Sequence, residues 1–216
     1  MHTLKDSPAL DWLRANRAWL INLYLFVNIA GYTAWQGWAL QQEGDFGFVE
    51  AAFIAQNLVL AGIVLIRRDH QAIDANPLHQ FVALAAFFSG AAFVGQPGTG
   101  DAGIHLLAQG IIVAANLLGI ATLLNLGRSF GILIACRGVK TGGLYRLIRH
   151  PMYLSDILLR LGYTVSHFSA VTLGLALFSI GLYIYRARLE EAFLVGQPGY
   201  RAYMEKVRYR LLPGIF

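Results

Sequence analysis

Residues 144–153 read Leu-Tyr-Arg-Leu-Ile-Arg-His-Pro-Met-Tyr, and an apolar run continues from Tyr153 to Tyr185. A bilayer core of about 30 Å needs roughly 20 apolar residues per helix. The run is therefore too long for one comfortable span, and its length suits two short spans. Polar residues 166–169 lie near its middle, where a tight hairpin would turn. This stretch predicts a basic, aromatic segment at a membrane boundary, followed by a helical hairpin.

The composition is that of an integral membrane protein. Hydrophobic residues make up 56% of the chain and charged residues 13%, and the mean hydropathy is +0.52. Ordinary soluble domains are less apolar and carry about 25% charged residues. Four more apolar stretches precede the hairpin, at residues 18–40, 48–66, 78–95 and 104–126. We therefore expect an all-α, polytopic bundle of six transmembrane helices.

In this topology, the basic residues are concentrated on one side of the membrane. With six helices and the amino terminus inside, every Lys and Arg except Arg160 falls in the inside segments, which are residues 1–17, 67–77, 127–152 and 186–216. The positive-inside rule then predicts that both termini are cytoplasmic. We also expect a membrane of the bacterial inner type. If residues 153–185 formed a single tilted span, five helices would leave a basic carboxyl terminus outside. Five spans is therefore the weaker alternative.

Several other classes of protein and site are disfavoured. The net charge of +5 lies along one membrane face, where it suits anionic headgroups, so we expect no nucleic-acid partner. The single cysteine, Cys136, excludes an intrachain disulfide and a cysteine-rich metal site. We see no removable signal peptide at the amino end. We expect the bilayer itself to be the main partner.

The chain divides into residues 1–126, which hold the first four predicted helices, and residues 127–216, which carry the candidate chemistry. Between the fourth and fifth helices, glycines permit tight turns and close approach to a ligand. Arg128, Arg137 and Lys140 supply a positive field there. These residues predict an anion-binding nest. The alternative is a basic loop that anchors the helix and meets lipid headgroups.

A second cluster follows the predicted sixth helix. Arg186 and Glu190 are four residues apart, so a helix leaving the membrane would carry ions on one face. A solvated amphipathic helix explains these charges. It gives no reason for the adjacent Glu190 and Glu191, one of which must turn toward the bilayer or toward other protein. A buried carboxylate facing Arg149 would mark a site.

These motifs resemble those of the isoprenylcysteine carboxyl methyltransferase family and, more loosely, the related phospholipid N-methyltransferases. The resemblance covers about residues 126–216. It consists of Tyr-Arg-x-x-Arg-His-Pro-x-Tyr, a helical hairpin, Glu-Glu, Gly-Tyr-x-x-Tyr and a terminal Pro-Gly. It implies that the carboxyl-terminal part encloses S-adenosylmethionine near the cytoplasmic face. It also implies that a lipid-like substrate enters from the bilayer.

The resemblance carries a set of site residues with it. Residues that would bind the cofactor are Tyr145, Arg149, His150, Pro151, Tyr153, Glu190, Glu191, Tyr200 and Tyr203. Those that would be catalytic are Arg149, His150, Glu190 and Glu191. One position departs from the family pattern, because Ser155 stands where glycine is usual. Its extra hydroxymethyl group would narrow the pocket or alter helix packing.

The chemistry of these residue types fits S-adenosylmethionine. An arginine binds a carboxylate, a glutamate accepts from ribose hydroxyls and an ammonium, and aromatic rings attract a sulfonium. Methyl transfer is an in-line displacement that needs no metal, so alignment and exclusion of water would carry catalysis. The acceptor stays open: an isoprenylcysteine-like carboxylate, a phospholipid amine or a small hydrophobic molecule. An amine or thiol acceptor needs a base, and His150 is the nearest histidine in sequence.

Two other functions compete with the methyltransferase. Sterol reductases look similar in this region and bind NADPH, although the short chain weighs against a membrane reductase. A non-enzymatic membrane assembly factor with the same fold is the other alternative.

Polar and small residues inside the helices have packing interpretations. Asp156 and Arg160 are four apart and are expected to pair, either in a site or as an internal ion pair. Gly110, Gly119 and Gly162 are expected to allow close helix packing.

Overall fold

The computed structural model describes residues 8–43, 46–93, 96 and 102–214, and most of these residues are helical. The α-helices are α1 (Pro8–Ala15), α2 (Arg17–Glu43), α3 (Phe48–Ile66), α4 (Pro77–Phe88), α5 (Ala102–Leu126), α6 (Pro151–Ser166), α7 (Ala170–Leu194) and α8 (Tyr200–Lys206). Two-residue strands β1 (Ala72–Ile73) and β2 (Ala135–Cys136) form an antiparallel pair. The predicted all-α class is confirmed, with this short strand pair added.

The helical hairpin is present where the sequence places it. Residues 153–185 belong to two helices, α6 and α7, which pack against each other and are separated by a short turn. Pro151 begins α6, where its missing N–H leaves no hydrogen bond unmade. Ser169 caps α7, because its Oγ accepts from the Thr172 backbone N–H at 3.1 Å. The predicted stretches at 18–40, 48–66 and 104–126 are α2, α3 and α5.

The third predicted helix is shorter than expected. Asn76 caps α4 by accepting from the Leu78 N–H at 2.9 Å, and after Phe88 the chain continues as a 3₁₀ helix, Ser89–Phe93. The predicted end at Gly95 lies outside the described residues. Among those residues, three helices are long and apolar enough to cross a bilayer: Phe48–Ile66, Gly103–Ser129 and Ala170–Leu194. The chain is an integral membrane protein, and the six-span topology stays a prediction.

The helices pack in the order α2, α3, α5, α6, α7, α4, and the most extensive packing joins α5 to α6. Gly162 makes that contact close, because a Cβ there would lie 2.8 Å from Ile112 Cγ1 and 3.2 Å from the Ile112 backbone N. Gly119 likewise approaches Gln56, whose Oε1 would lie 2.5 Å from an added Cβ. At Gly110, no atom of another described segment lies within 4 Å of that position, so its predicted packing role is wrong.

Residues 127–150 cross one end of the bundle, which we call the cavity end. Strand β2 holds this segment to β1, with the Gln71 N–H donating to the Cys136 carbonyl at 2.8 Å. Gln80 fixes the same segment to α4. The Ile134 N–H donates to Gln80 Oε1 at 2.9 Å, and Gln80 Nε2 donates to the Ile134 carbonyl at 3.0 Å. The segment is therefore an ordered wall of protein.

The predicted pair of Asp156 and Arg160 is present in α6. Arg160 Nη1 lies 3.8 Å from Asp156 Oδ1 and donates to the Asp156 carbonyl at 2.8 Å. Arg160 Nε also donates to Ser89 Oγ at 3.2 Å. Arg160 thus connects α6 to the 3₁₀ helix that follows α4.

Candidate active site

The end of the bundle that residues 127–150 cross contains the cavity for which it is named. The cavity lies between residues 126–140, the start of α6, the end of α7 and helix α8. It is partly open to solvent. Its apolar wall includes Phe87, Leu126, Phe130, Leu133, Met152 and Leu194. Its polar and aromatic wall includes Arg137, Lys140, Tyr145, Arg149, His150, Tyr153, Asp156, Arg186, Glu190, Tyr200 and Tyr203. Seven of the nine residues predicted to bind a cofactor are in this wall, and the exceptions are Pro151 and Glu191.

The carboxylate of Glu191 is buried in a network of basic side chains. Arg149 donates to it from Nε to Oε1 at 2.7 Å and from Nη2 to Oε2 at 3.4 Å. His150 Nε2 lies 3.1 Å from Oε1, and Arg210 Nε donates to Oε2 at 2.8 Å. Such charge-assisted bonds are the strong ones in proteins. Glu191 therefore joins the start of α6 to the carboxyl-terminal segment.

Arg149 is held further by that carboxyl-terminal segment. Its Nη1 donates to the carbonyls of Val207 at 2.9 Å and Arg208 at 3.1 Å. The backbone N–H of Arg149 donates to the Tyr209 carbonyl at 2.9 Å. Most of the guanidinium donors are thus used inside the protein, and one Nη2 hydrogen has no partner in this network.

Glu190, unlike its neighbour, faces the cavity. Tyr153 Oη donates a hydrogen bond to Glu190 Oε2, and Oε1 makes no hydrogen bond with the described residues. The Tyr153 ring stacks on His150, with centroids 5.0 Å apart and planes 8° apart. The adjacent residues Glu190 and Glu191 therefore have different surroundings. The Glu191 carboxylate is fully hydrogen-bonded within the protein, and Glu190 has an open oxygen in the cavity wall.

Three tyrosines close the cavity on the side of α8. Tyr145, Tyr200 and Tyr203 form a buried cluster, in which Tyr203 Oη donates to the Tyr145 carbonyl at 2.8 Å. Gly199 begins this element with φ of 80°, a left-handed conformation that favours glycine. Burial raises the pKa of the Tyr145 and Tyr200 phenols, and the nearby carboxylates raise it further. These hydroxyls therefore stay protonated as hydrogen-bond donors.

Arg186 is a cavity residue whose place the sequence did not reveal. The i, i+4 spacing to Glu190 predicted a solvated helix face, yet Arg186 is only 4% exposed. Its Nη1 donates to the Ala83 carbonyl at 3.0 Å and its Nη2 to the Ile132 carbonyl at 2.5 Å. Its guanidinium lies 5.0 Å from the Tyr153 ring centroid. The Nε of this buried side chain has no hydrogen-bond partner among the described residues. A charged residue within a long apolar helix was the available signal.

The cavity wall carries more positive than negative charge. Four cationic side chains line it, Arg137, Lys140, Arg149 and Arg186, against two carboxylates, Asp156 and Glu190. Glu191, which lies outside the wall, neutralises the charge of Arg149. The excess of positive charge in the wall therefore comes from Arg137, Lys140 and Arg186. An anionic group is therefore favoured in part of this cavity.

Ser155 does not narrow the cavity. It is buried outside the cavity wall, and its Oγ donates to the Met152 carbonyl at 2.8 Å. The hydroxyl is thus satisfied within α6, and the departure from the family pattern leaves the cavity wall unchanged.

Part of the chain that forms this cavity is similar to a known protein family. Residues 102–199 match the family described as phospholipid methyltransferase. The match begins at α5, earlier than the predicted boundary near residue 126, and ends before Tyr200. No curated protein matches the chain significantly. The match supports a membrane methyltransferase of the phospholipid and isoprenylcysteine type. Residues 102–199, which hold most of the cavity wall, are thus similar to the phospholipid methyltransferase family.

Proposed function

We propose that this chain is an S-adenosylmethionine-dependent methyltransferase that binds its cofactor in the described cavity and methylates a lipophilic acceptor from the bilayer. The observation that carries the proposal is the position of Glu190. Its carboxylate lies in the cavity wall with Oε2 held by Tyr153 and Oε1 open. A carboxylate oxygen in that state can accept from an ammonium or from ribose hydroxyls.

The other wall groups match the remaining parts of S-adenosylmethionine. The cofactor carboxylate needs a cationic partner, and Lys140 and Arg137 are the candidates, because Arg149 is largely bound to Glu191. The sulfonium is attracted by aromatic faces by about 0.5–2 kcal/mol each, and Tyr145, Tyr200 and Tyr203 line the cavity. The donor set of the cavity wall fits the cofactor.

The apolar wall suits the hydrocarbon part of an acceptor. Phe87, Phe130 and Met152 form part of it. Arg186, which lines the cavity, supplies positive charge that favours an anionic group of the acceptor, such as a carboxylate or a headgroup phosphate. The bound cofactor would supply an electrophilic methyl group, whose bond to sulfur breaks as the bond to the acceptor forms. The protein's part is alignment and exclusion of water.

Arg149, Glu191 and Pro151 act as positioning residues in this proposal. The Glu191 network fixes His150 and the start of α6, and through them the stacked ring of Tyr153. His150 itself lies in the cavity wall. For an amine or thiol acceptor, the nitrogen of His150 that is not bonded to Glu191, Nδ1, is the proton acceptor. A carboxylate acceptor needs none.

The test is calorimetric binding to the purified chain in detergent. S-adenosylmethionine and its demethylated product are expected to bind, and NADPH is expected to bind more weakly. Glu190→Gln should weaken S-adenosylmethionine binding by roughly tenfold or more, the cost of one charge-assisted hydrogen bond. Glu205→Gln, an exposed position on α8, is the matched control and should bind as the unmodified chain does.

Three results would overturn the proposal. If the folded protein binds neither S-adenosylmethionine nor its product, the cavity does not serve this cofactor. Tighter binding of NADPH would favour a reductase. Incubation with methyl-labelled S-adenosylmethionine and total membrane extract then identifies the acceptor as the labelled product. Binding without any labelled product would favour a non-enzymatic assembly factor.

A further inference from the structure

A second groove lies at the cavity end, away from the candidate active site. It runs between the start of α2, the end of α3 and the 3₁₀ turn Gly127–Ser129. Its lining consists of Ala18, Trp19, Asn22, Leu65, Ile66, Arg67 and Arg128. Most of these residues are apolar or aromatic, and two carry positive charge. The groove therefore combines an apolar floor with cationic groups.

Arg67 is anchored at one end and open at the other. Its Nε donates to Asn22 Oδ1 at 2.5 Å, and Asn22 Nδ2 donates back to the Arg67 carbonyl at 3.1 Å. Asn22 is only 7% exposed, so this reciprocal pair is held inside the protein. Neither Nη atom of Arg67 makes a hydrogen bond with the described residues.

Arg128 is held in a similar manner. Its Nε donates to the Ile66 carbonyl at 3.0 Å, at the last residue of α3. Its Nη atoms also make no hydrogen bond within the described part of the chain. Two guanidinium groups are thus fixed through Nε beside one groove, with their outer N–H groups unused.

The positive charge of Arg67 is only partly balanced by the charges around it. Burial lowers its pKa, and the nearby Arg137 lowers it further, while Asp69 raises it. The side chains of Arg68, the next residue, and Arg128, in the same groove, add further positive charge near Arg67. An anion in the groove would relieve this repulsion.

The groove lies where a bilayer surface is expected. Ile66, the end of an apolar helix long enough to span a membrane, is 53% exposed, and the Trp19 ring beside it is 52% exposed. Tryptophan is enriched at membrane interfaces, where one part of its ring is apolar and its N–H is wet. A ligand with a charged head and an apolar tail fits this position.

We propose that this groove binds an anionic phospholipid, with the headgroup phosphate between Arg67 and Arg128 and an acyl chain against Trp19 and Ile66. Guanidinium groups match phosphate oxygens in bidentate geometry, and the negative surface of a membrane concentrates such lipids there. The site is independent of the methyltransferase proposal, because none of its lining residues lines the cavity.

The proposal is tested with the purified full chain in detergent, stripped of lipid and titrated with mixed micelles of phosphatidylglycerol or phosphatidylcholine. A ligand that binds only the folded state raises the unfolding temperature. We expect phosphatidylglycerol to raise it more than phosphatidylcholine does. Arg128→Gln should remove most of that difference, and Arg67→Gln should do the same if the variant folds. Arg146→Gln, an exposed arginine on the turn before α6, is the matched control and should keep the difference.

Three outcomes would overturn the proposal. Equal shifts from the two lipids would remove the preference for anionic lipid. An unchanged phosphatidylglycerol shift in Arg128→Gln would place the lipid elsewhere. If inorganic phosphate alone produced the full shift, the ligand would be a free anion instead of a lipid. None of these readouts depends on S-adenosylmethionine or on activity, so failure here and failure of the proposed function are distinguishable.

Discussion

Arg149 donates to both carboxylate oxygens of Glu191, from Nε to Oε1 at 2.7 Å and from Nη2 to Oε2 at 3.4 Å. The two residues lie at the start of α6 and near the end of α7, at opposite ends of the helical hairpin in sequence. Both side chains are buried, with exposures of 6% and 4%. The pair therefore fixes the two cavity-forming ends of the hairpin against each other.

Glu191→Gln tests this pair as a structural unit. The variant leaves Arg149 as a buried charge without its carboxylate partner, which costs about 3–5 kcal/mol in comparable cases. We expect a clearly lower thermal unfolding temperature in detergent, together with weaker cofactor binding. Glu205→Gln removes an exposed carboxylate and should leave the unfolding temperature nearly unchanged. An unchanged temperature in Glu191→Gln would contradict the structural role.

Tyr153→Phe tests how Glu190 is positioned. The substitution removes the hydroxyl that donates to Glu190 Oε2 and keeps the ring that stacks on His150. We expect S-adenosylmethionine to bind about tenfold more weakly, because Glu190 loses its orientation. Tyr163→Phe removes a hydroxyl from the same helix at a residue outside the cavity wall. Equal cofactor affinity in the two variants would show that the Tyr153 hydroxyl does not position Glu190.

Gly162→Ala tests the close packing of α5 on α6. An added Cβ would lie 2.8 Å from Ile112 Cγ1 and 3.2 Å from a backbone nitrogen, so one helix must shift. Overpacking of this kind typically destabilises a protein by about 1–3 kcal/mol. Gly110→Ala is the control on α5, where no atom of another described segment lies within 4 Å of the new Cβ. The unfolding temperature should fall in the first variant only, and a comparable fall in both would refute the packing argument.

Asp74→Asn tests an electrostatic contribution outside the membrane-spanning helices. The Asn76 N–H donates to Asp74 Oδ1 at 2.9 Å, and His79 Nδ1 lies 2.7 Å from Oδ2. These two contacts, the first the larger, lower the Asp74 pKa below its ordinary value of 3.8. A carboxylate with a lowered pKa in the folded state stabilises the fold above its unfolded pKa, and this stability is lost as the pH falls through the lowered value.

The expected result is a stability difference that depends on pH. The unfolding temperature of Asp74→Asn should lie below that of the unmodified chain at about pH 5, and the two should converge toward about pH 2. A difference that stays constant across this range would mean that the Asp74 charge does not contribute.

Much of the architecture was predictable because apolar length and turn residues are local properties. α3 has the predicted bounds, and the hairpin of α6 and α7 turns at the polar residues in its middle. The third α-helix ends before the predicted residue 95, because the chain continues from α4 as a 3₁₀ helix. Ser89 of that 3₁₀ helix accepts a hydrogen bond from Arg160 of α6. That contact joins residues distant in sequence, and periodicity carries no information about it.

The sequence by itself determined the membrane class, the helical hairpin and the residue types of a candidate site. Hydropathy, charge asymmetry and motif order are all properties of the linear chain. Only the tertiary structure decided which of two adjacent carboxylates is open. Successive residues on a helix point about 100° apart, so Glu191 faces Arg149 while Glu190 faces the cavity. Only the tertiary structure also showed that Arg186 is buried. The carbonyls of Ala83 and Ile132 that accept its hydrogen bonds belong to segments distant in sequence, so the local pattern carries no information about them.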